Sequence, residues 1–156
     1  MKLYVTYGSP YARLARIIVI EKALEDRVEI IEAKTRAPGS PYYQINPSGR
    51  VPYLVDDAGV GMEDSQLVCA YLDGLDGKPR FHSASRASDW AYLRLEFTAR
   101  NMCDGIAVWG REIARPENER RPPLSPMSQR APSAWRIFST TAQLIRSCRE
   151  RPVWRT

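Results

Sequence analysis

The sequence predicts an α/β domain over residues 1–80, followed over 86–120 by the start of an all-helical region that stays incomplete. Apolar spacing switches between strand-like and helix-like runs in the order β-α-β, a long connection, then β-β-α. A connection rich in Pro, Gly and Ser from about Thr35 to Arg50 divides the two halves of that order. A composition break near Arg121 ends the last helical pattern.

Residues 2–7, KLYVTY, read as a short strand closed by Gly8-Ser9-Pro10. From Tyr11 to about Leu24 the spacing becomes helical, with Leu14, Ile17, Ile18 and Ile20 apolar and Arg13, Arg16, Glu21 and Lys22 polar. Ser9 followed by Pro10 suits the start of that helix, serine as cap and proline in the first turn. Val28, Ile30 and Ile31 mark a second strand. Tyr53-Leu54-Val55 and Val60-Gly61-Met62 flank Asp56-Asp57-Ala58-Gly59, the pattern of a hairpin. A helix follows from about Ser65 to Leu75, its stripe formed by Leu67, Val68, Tyr71, Leu72 and Leu75. The first strand–helix–strand unit implies a parallel pair, to which the hairpin adds antiparallel strands.

Gly77-Lys78-Pro79 to Ser85 reads as a linker. Beyond it, Trp90, Leu93, Phe97, Met102, Ile106, Trp109 and Ile113 fall near one face of a long helix. For the aromatics Trp90, Tyr92, Phe97 and Trp109, core packing is expected ahead of a substrate pocket. Residues 1–120 hold 16 basic and 17 acidic side chains, whereas 121–156 hold seven arginines and Glu150 as the sole acid. The net charge of +5 therefore belongs to an atypical, poorly ordered Arg/Pro-rich tail rather than to a folded basic face. A nucleic-acid function is not expected on that basis. The abrupt change at Arg121 fits a truncated or frame-shifted C-terminal region better than a native basic tail. Three widely spaced cysteines, Cys69, Cys103 and Cys148, and one histidine, His82, suit buried thiols in a reducing cytoplasm, with no metal site. No secretory segment and no membrane-length apolar run is evident.

Three motifs occur in order on this framework: Gly8-Ser9-Pro10-Tyr11-Ala12-Arg13, then Asn46-Pro47-Ser48-Gly49-Arg50-Val51-Pro52-Tyr53-Leu54, then Glu63-Asp64-Ser65-Gln66. Together they resemble the N-terminal half of the cytosolic glutathione S-transferases, with a serine-type first motif. The resemblance covers residues 1–80 well and continues more loosely to about Glu119. It implies a thioredoxin-like fold for 1–80, glutathione as co-substrate, an electrophilic small molecule as second substrate, no metal, and a homodimer.

The resemblance places Ser9 where the family's serine-using classes keep the hydroxyl that helps ionise the glutathione thiol. The physical logic is general: a free thiol has a pKa of about 8.5, and a hydroxyl donor with a helix N-terminus favours the anion. Lowering that pKa by two units requires roughly 2.7 kcal/mol, within reach of one charge-assisted bond and a helix terminus. Ser9 also reads simply as a helix cap, and Tyr7 is the alternative hydroxyl, because other classes use tyrosine there. By the same resemblance Val51 offers its backbone to the cysteinyl part of glutathione before a cis Pro52. Ser65, with α-helical amides behind it, takes the γ-glutamyl carboxylate. Asp64 or its neighbour Glu63 pairs with the ammonium of that moiety; an ordinary N-cap fits the same spacing. Arg50 is placed to meet the glycyl carboxylate, and a solvated arginine fits equally.

The implied activity is attack of the glutathione thiolate on an electrophilic carbon, the chemistry of a cytoplasmic detoxification transferase. Two alternatives stand beside it. One is a glutathione-binding protein with little or no conjugating activity, because the helical half is incomplete. The other is a glutathione-dependent redox protein, disfavoured because residues 8–13 contain no cysteine.

Overall fold

A computed structural model describes residues 1–81 and 90–121. Strand β1 (Lys2–Val5) leads to helix α1 (Pro10–Glu21), strand β2 (Glu29–Glu32) and a single-turn helix α2 (Tyr42–Ile45). Strands β3 (Tyr53–Val55) and β4 (Gly61–Met62) precede helix α3 (Ser65–Asp73), and helix α4 (Trp90–Ile113) follows, then a 3₁₀ turn at Glu117–Glu119. The sheet order is β2-β1-β3-β4. Strands β1 and β2 run parallel, and the β1–β3 and β3–β4 pairs run antiparallel. The expected α/β, thioredoxin-like arrangement is therefore present, with its parallel pair and antiparallel hairpin. Within the hairpin, Asp56 Oδ1 accepts the amides of Ala58 (3.0 Å) and Val60 (2.8 Å), and Gly59 supplies the positive φ of 79° that the turn needs. The short helix α2 lies in the segment expected to be loop.

Alternation along β1 sorts its two faces. Leu3 and Val5 are fully buried, and with Leu54 they meet Ala12, Ala15 and Val19 of α1 and Val68 and Leu72 of α3. On the opposite face the Tyr4 ring lies 5.6 Å from that of Tyr42 in α2 and 6.5 Å from Tyr53 in β3. The buried stripe of α1 differs from the expected one. Leu14, Ile17 and Ile20 are exposed, while the smaller Ala12, Ala15 and Val19 face the core. Ile18, also expected on the stripe, is half-buried and packs against the same core. Similarly, Leu67 of α3 is exposed, whereas Val68 and Leu72 are buried.

Lys22, expected on the polar side of α1, is buried at its C-terminal end. Its ammonium bonds Asp73 Oδ1 (3.0 Å), Asp76 Oδ1 (3.2 Å) and the Pro79 carbonyl (3.1 Å), and lies 4.8 Å from the centre of the Phe81 ring. Burial alone would depress this ammonium; the two carboxylates more than offset it, and its pKa is raised. The same cluster ties down residues 76–81, because Asp73 also accepts the Phe81 amide and Asp76 the Lys78 amide.

The chain divides into two compact units, Met1–Ala107 and Val108–Thr156. In α4 the buried position is Cys103; Trp90, Phe97 and Ile113 are exposed. The expectation that these aromatics pack in a core is not met at Trp90 and Phe97, because the described residues place little against that stripe. In the second unit, Arg120 closes the end of α4 by donating to the carbonyls of Ile113 and Arg115 (both 3.0 Å). Residues 82–89 and 122–156, which include the end of the expected linker, His82, Cys148 and all but the first residue of the tail, lie outside the described residues. Among the described residues no helix is long and apolar enough to cross a membrane.

Candidate functional site

Strand register brings the three sequence motifs to one edge of the sheet. Tyr4 pairs with Tyr53, so β3 begins where β1 ends, and the Arg50-Val51-Pro52 bend lies level with Thr6. Leu54 pairs with Met62, and the same register extended brings Ser65 level with Val51. Strands β1 and β4 point the same way. Helices α1 and α3, each starting just beyond one of them, therefore present both N-termini at this edge. Two helix N-termini bring their positive dipole ends to it, and it lies at the carboxyl ends of the parallel strands, where α/β sheets take ligands. An open groove of about 470 Å³, lined by Thr6, Glu32, Ala33, Lys34, Thr35 and Ala37, opens at the same edge without including Val51 or Ser65.

Ser9 is the N-cap of α1. Its Oγ accepts the Ala12 amide at 3.2 Å, and its own amide donates to the Thr6 carbonyl at 3.2 Å. With Oγ acting as acceptor in the cap, the hydroxyl proton is the part left for donation outward. Tyr7, the alternative hydroxyl, is exposed, and the Arg16 guanidinium lies 4.5 Å from its ring centre. In the first turn of α1, Tyr11 donates to the Asp104 carboxylate of α4.

The Val51–Pro52 peptide bond is cis. The residue before it is held from behind: the Arg50 carbonyl accepts Tyr42 Oη at 2.6 Å and Asn46 Nδ2 at 3.1 Å. Both donors come from in and just after the unexpected helix α2, and both residues are buried. Burial raises the Tyr42 pKa, so its phenol remains a donor at neutral pH. Gly49 has a φ of 65°, and a Cβ there would stand 2.5 Å from Tyr43 Cε1, so only glycine fits this turn. Arg50 itself is exposed.

Asp64 is the N-cap of α3, with Oδ1 accepting the Gln66 amide at 2.7 Å. Its φ of 75° with ψ of 124° is a conformation that non-glycine residues rarely adopt. Such backbone clusters at ligand-binding positions. Glu63, the other candidate acid, receives the Ser48 hydroxyl at 2.7 Å. Sequence reasoning named Ser48 and Glu63 but not their contact, and it missed Tyr42 as the clamp on Arg50. Spacing along the chain carries no signal for such cross-loop bonds.

Neither described thiol is poised to react. Burial pushes the Cys69 thiol up to about 11 and also raises that of Cys103. The raised value means the stability due to neutral Cys69 is complete below the unfolded thiol pKa and disappears as pH rises through about 11. At pH 8 iodoacetamide should modify Cys69 at least about tenfold more slowly in the native chain than in the unfolded chain. Peptide mass spectrometry reads the rates, and equal rates would mean an accessible thiolate.

Comparisons with known proteins bear on the family and the fold. A sequence model described as "Glutathione S-transferase, N-terminal domain" matches residues 3–80. The chain is 29% identical over 116 residues to the uncharacterized GST-like protein YibF of Escherichia coli K12, covering 74% of this chain and 56% of that protein. It thus spans little more than half the length of this curated relative. A glutathione transferase family member from Pseudomonas fluorescens Pf-5, solved with bound glutathione, is 25% identical with a TM-score of 0.63, over 77% of this chain and 60% of that one. A Methylobacterium radiotolerans glutathione S-transferase in complex with glutathione sulfonate is 25% identical with a TM-score of 0.66, over 83% and 60%. A Methylobacillus flagellatus glutathione S-transferase is 23% identical with a TM-score of 0.68, the match covering 99% of this chain and 74% of that one.

Proposed function

The chain belongs to the glutathione S-transferase family, and on that premise we propose that residues 1–80 bind glutathione and activate its thiol for conjugation to an electrophilic small molecule. The observation that carries the reading is the convergence of both helix N-termini and the Arg50–Pro52 bend on one sheet edge. Two neighbouring structures that hold glutathione or its sulfonate support the ligand class.

In this reading the Ser9 hydroxyl donates to the thiolate, and the α1 terminus adds its dipole. The Val51 backbone aligns the cysteinyl unit as an added strand would. Ser65 and the first amides of α3 take the γ-glutamyl carboxylate, Asp64 faces the ammonium, and Arg50 meets the glycyl carboxylate. The thiolate sulfur attacks the electrophilic carbon, a C–S bond forms, and the leaving group departs with its bonding pair. Fixing both partners in line supplies much of the rate gain. The proposal extends to a dimeric cytoplasmic enzyme of detoxification.

Glutathione binding without efficient conjugation is the second reading. Glutathione-agarose tests the part common to both. The wild type should be retained and released by free glutathione, and Ser65→Ala should weaken binding about tenfold through loss of a hydrogen bond to a charged group. Unchanged retention of the variant would remove Ser65 from the site.

A further inference from the structure

The two halves of the proposed site are joined by a hydrogen-bond path that ends on a carboxylate. Ser48 stands at its centre: its amide donates to Asn46 Oδ1 (3.0 Å), its Oγ accepts the Arg50 amide (3.2 Å), and its hydroxyl donates to Glu63 Oε2 (2.7 Å). Arg50 is held on its other side by Tyr42 and Asn46, through its carbonyl. Glu63 directly precedes Asp64 and Ser65, at the start of α3. The path therefore runs from the backbone that precedes Val51 to the helix terminus opposite it, spanning fifteen residues of sequence at the Ser48–Glu63 step.

We propose that Glu63 is a positioning residue, which by accepting the Ser48 hydroxyl fixes the spacing between the Val51 backbone and the Ser65 terminus that one tripeptide must bridge. The proposal rests on the reading that this site takes glutathione. Sequence spacing leaves Glu63 and Asp64 equivalent as partners for the ligand ammonium. Their contacts separate them: Asp64 caps α3, and Glu63 is turned across the edge to the neighbouring loop. Because the Ser48 and Glu63 side chains are exposed, water competes for their bond, and its removal loosens the site without unfolding it.

Titration calorimetry of glutathione into the full chain tests this with four variants. Glu63→Gln keeps an oxygen acceptor for Ser48 and loses only charge, so its Kd should stay within about twofold of wild type. Glu63→Ala and Ser48→Ala should each weaken binding about three- to tenfold, and the double variant should be no weaker than the worse single one. In a conjugation assay the loss should fall on KM for glutathione, with kcat changed less than about twofold. Without ligand, the Arg50 amide should exchange hydrogen faster in both alanine variants and not in Glu63→Gln. If Glu63→Gln binds as poorly as Glu63→Ala while Ser48→Ala is silent, Glu63 is a direct ammonium ligand and the proposal falls. Additive losses also overturn it. A wild type that binds no glutathione removes the functional reading and this proposal with it, a result distinct from either of the others.

Discussion

Ser9→Ala should lower kcat/KM for conjugation of a generic aromatic halide about 10- to 25-fold near pH 7, and should move the pH profile upward. A hydrogen bond to a charged group contributes about 1.5–3 kcal/mol, or roughly one to two units of thiol pKa. With the hydroxyl gone, the α1 dipole alone holds the anion, and the thiol returns toward its free value of about 8.5. The effect reverses as pH rises: above about 9 both forms carry ionised glutathione, and the rates should converge. Ser9 also caps α1 through Ala12, so alanine additionally costs about 1 kcal/mol of stability. Ser9→Asp separates the two roles, because aspartate caps a helix but repels a thiolate. It should restore the melting temperature and not the rate. Tyr7→Phe should leave the profile where it is, since that ring is exposed and stacked with Arg16. Equal profiles for Ser9→Ala and wild type would transfer the catalytic role away from Ser9.

How much of this was legible in the chain depends on the range of the interaction. Ser9-Pro10 announced the start of α1, Asp56 to Gly59 announced the hairpin, and Asp64-Ser65 announced the start of α3, because caps and turns are local. The stripe of α1 was misjudged for a tertiary reason. Ranking positions by apolar size selects Leu14, Ile17, Ile18 and Ile20, of which Ile18 alone packs against the core, while the fully buried positions of α1 are the smaller Ala12, Ala15 and Val19. Helix α2 sits in a segment dense in Pro, Gly and Ser, and its Tyr42 and Asn46 are ordered by what they clamp, the Arg50 carbonyl, not by helical propensity. The motif Asn46-Pro47-Ser48-Gly49 could be recognised as a unit. That Asn46 and Ser48 serve the backbone, while Gly49 clears Tyr43, is visible only in three dimensions.

Lys22 is the position where that blindness costs most, and Lys22→Met should be among the most destabilising single changes in the chain. Its pattern position is polar, yet its side chain is 3% exposed and faces Asp73 and Asp76, at 4% and 7%. Methionine keeps the aliphatic stem but takes the Lys22 ammonium away from both buried carboxylates, and Asp76 Oδ2 already lacks a hydrogen-bond partner among the described residues. Removing one member of a buried ion pair costs about 3–5 kcal/mol; the lower figure applies here, because Asp73 keeps the Phe81 amide and Asp76 the Lys78 amide. For a domain of this size about 3 kcal/mol corresponds to a fall of roughly 10 °C in Tm, read by circular dichroism together with a urea midpoint. The sign of the pH dependence is fixed by the folded-state shifts. Lys22 is raised, so its contribution is complete below the unfolded value of 10.5 and disappears as pH climbs through the higher folded value. Although desolvation pushes Asp76 up, bonds from the Lys78 amide and from Lys22 hold it below 3.8, so its contribution is lost only as pH falls beneath that. The deficit of Lys22→Met should therefore be flat around neutral pH, and wild type and variant should converge at both extremes, in acid as the carboxylates protonate and in alkali as Lys22 loses its charge. Adding Asp76→Asn to Lys22→Met removes one orphaned charge and should return part of the lost stability. If Lys22→Met melts with the wild type, or the second change lowers Tm further, the clasp holds these elements by packing alone.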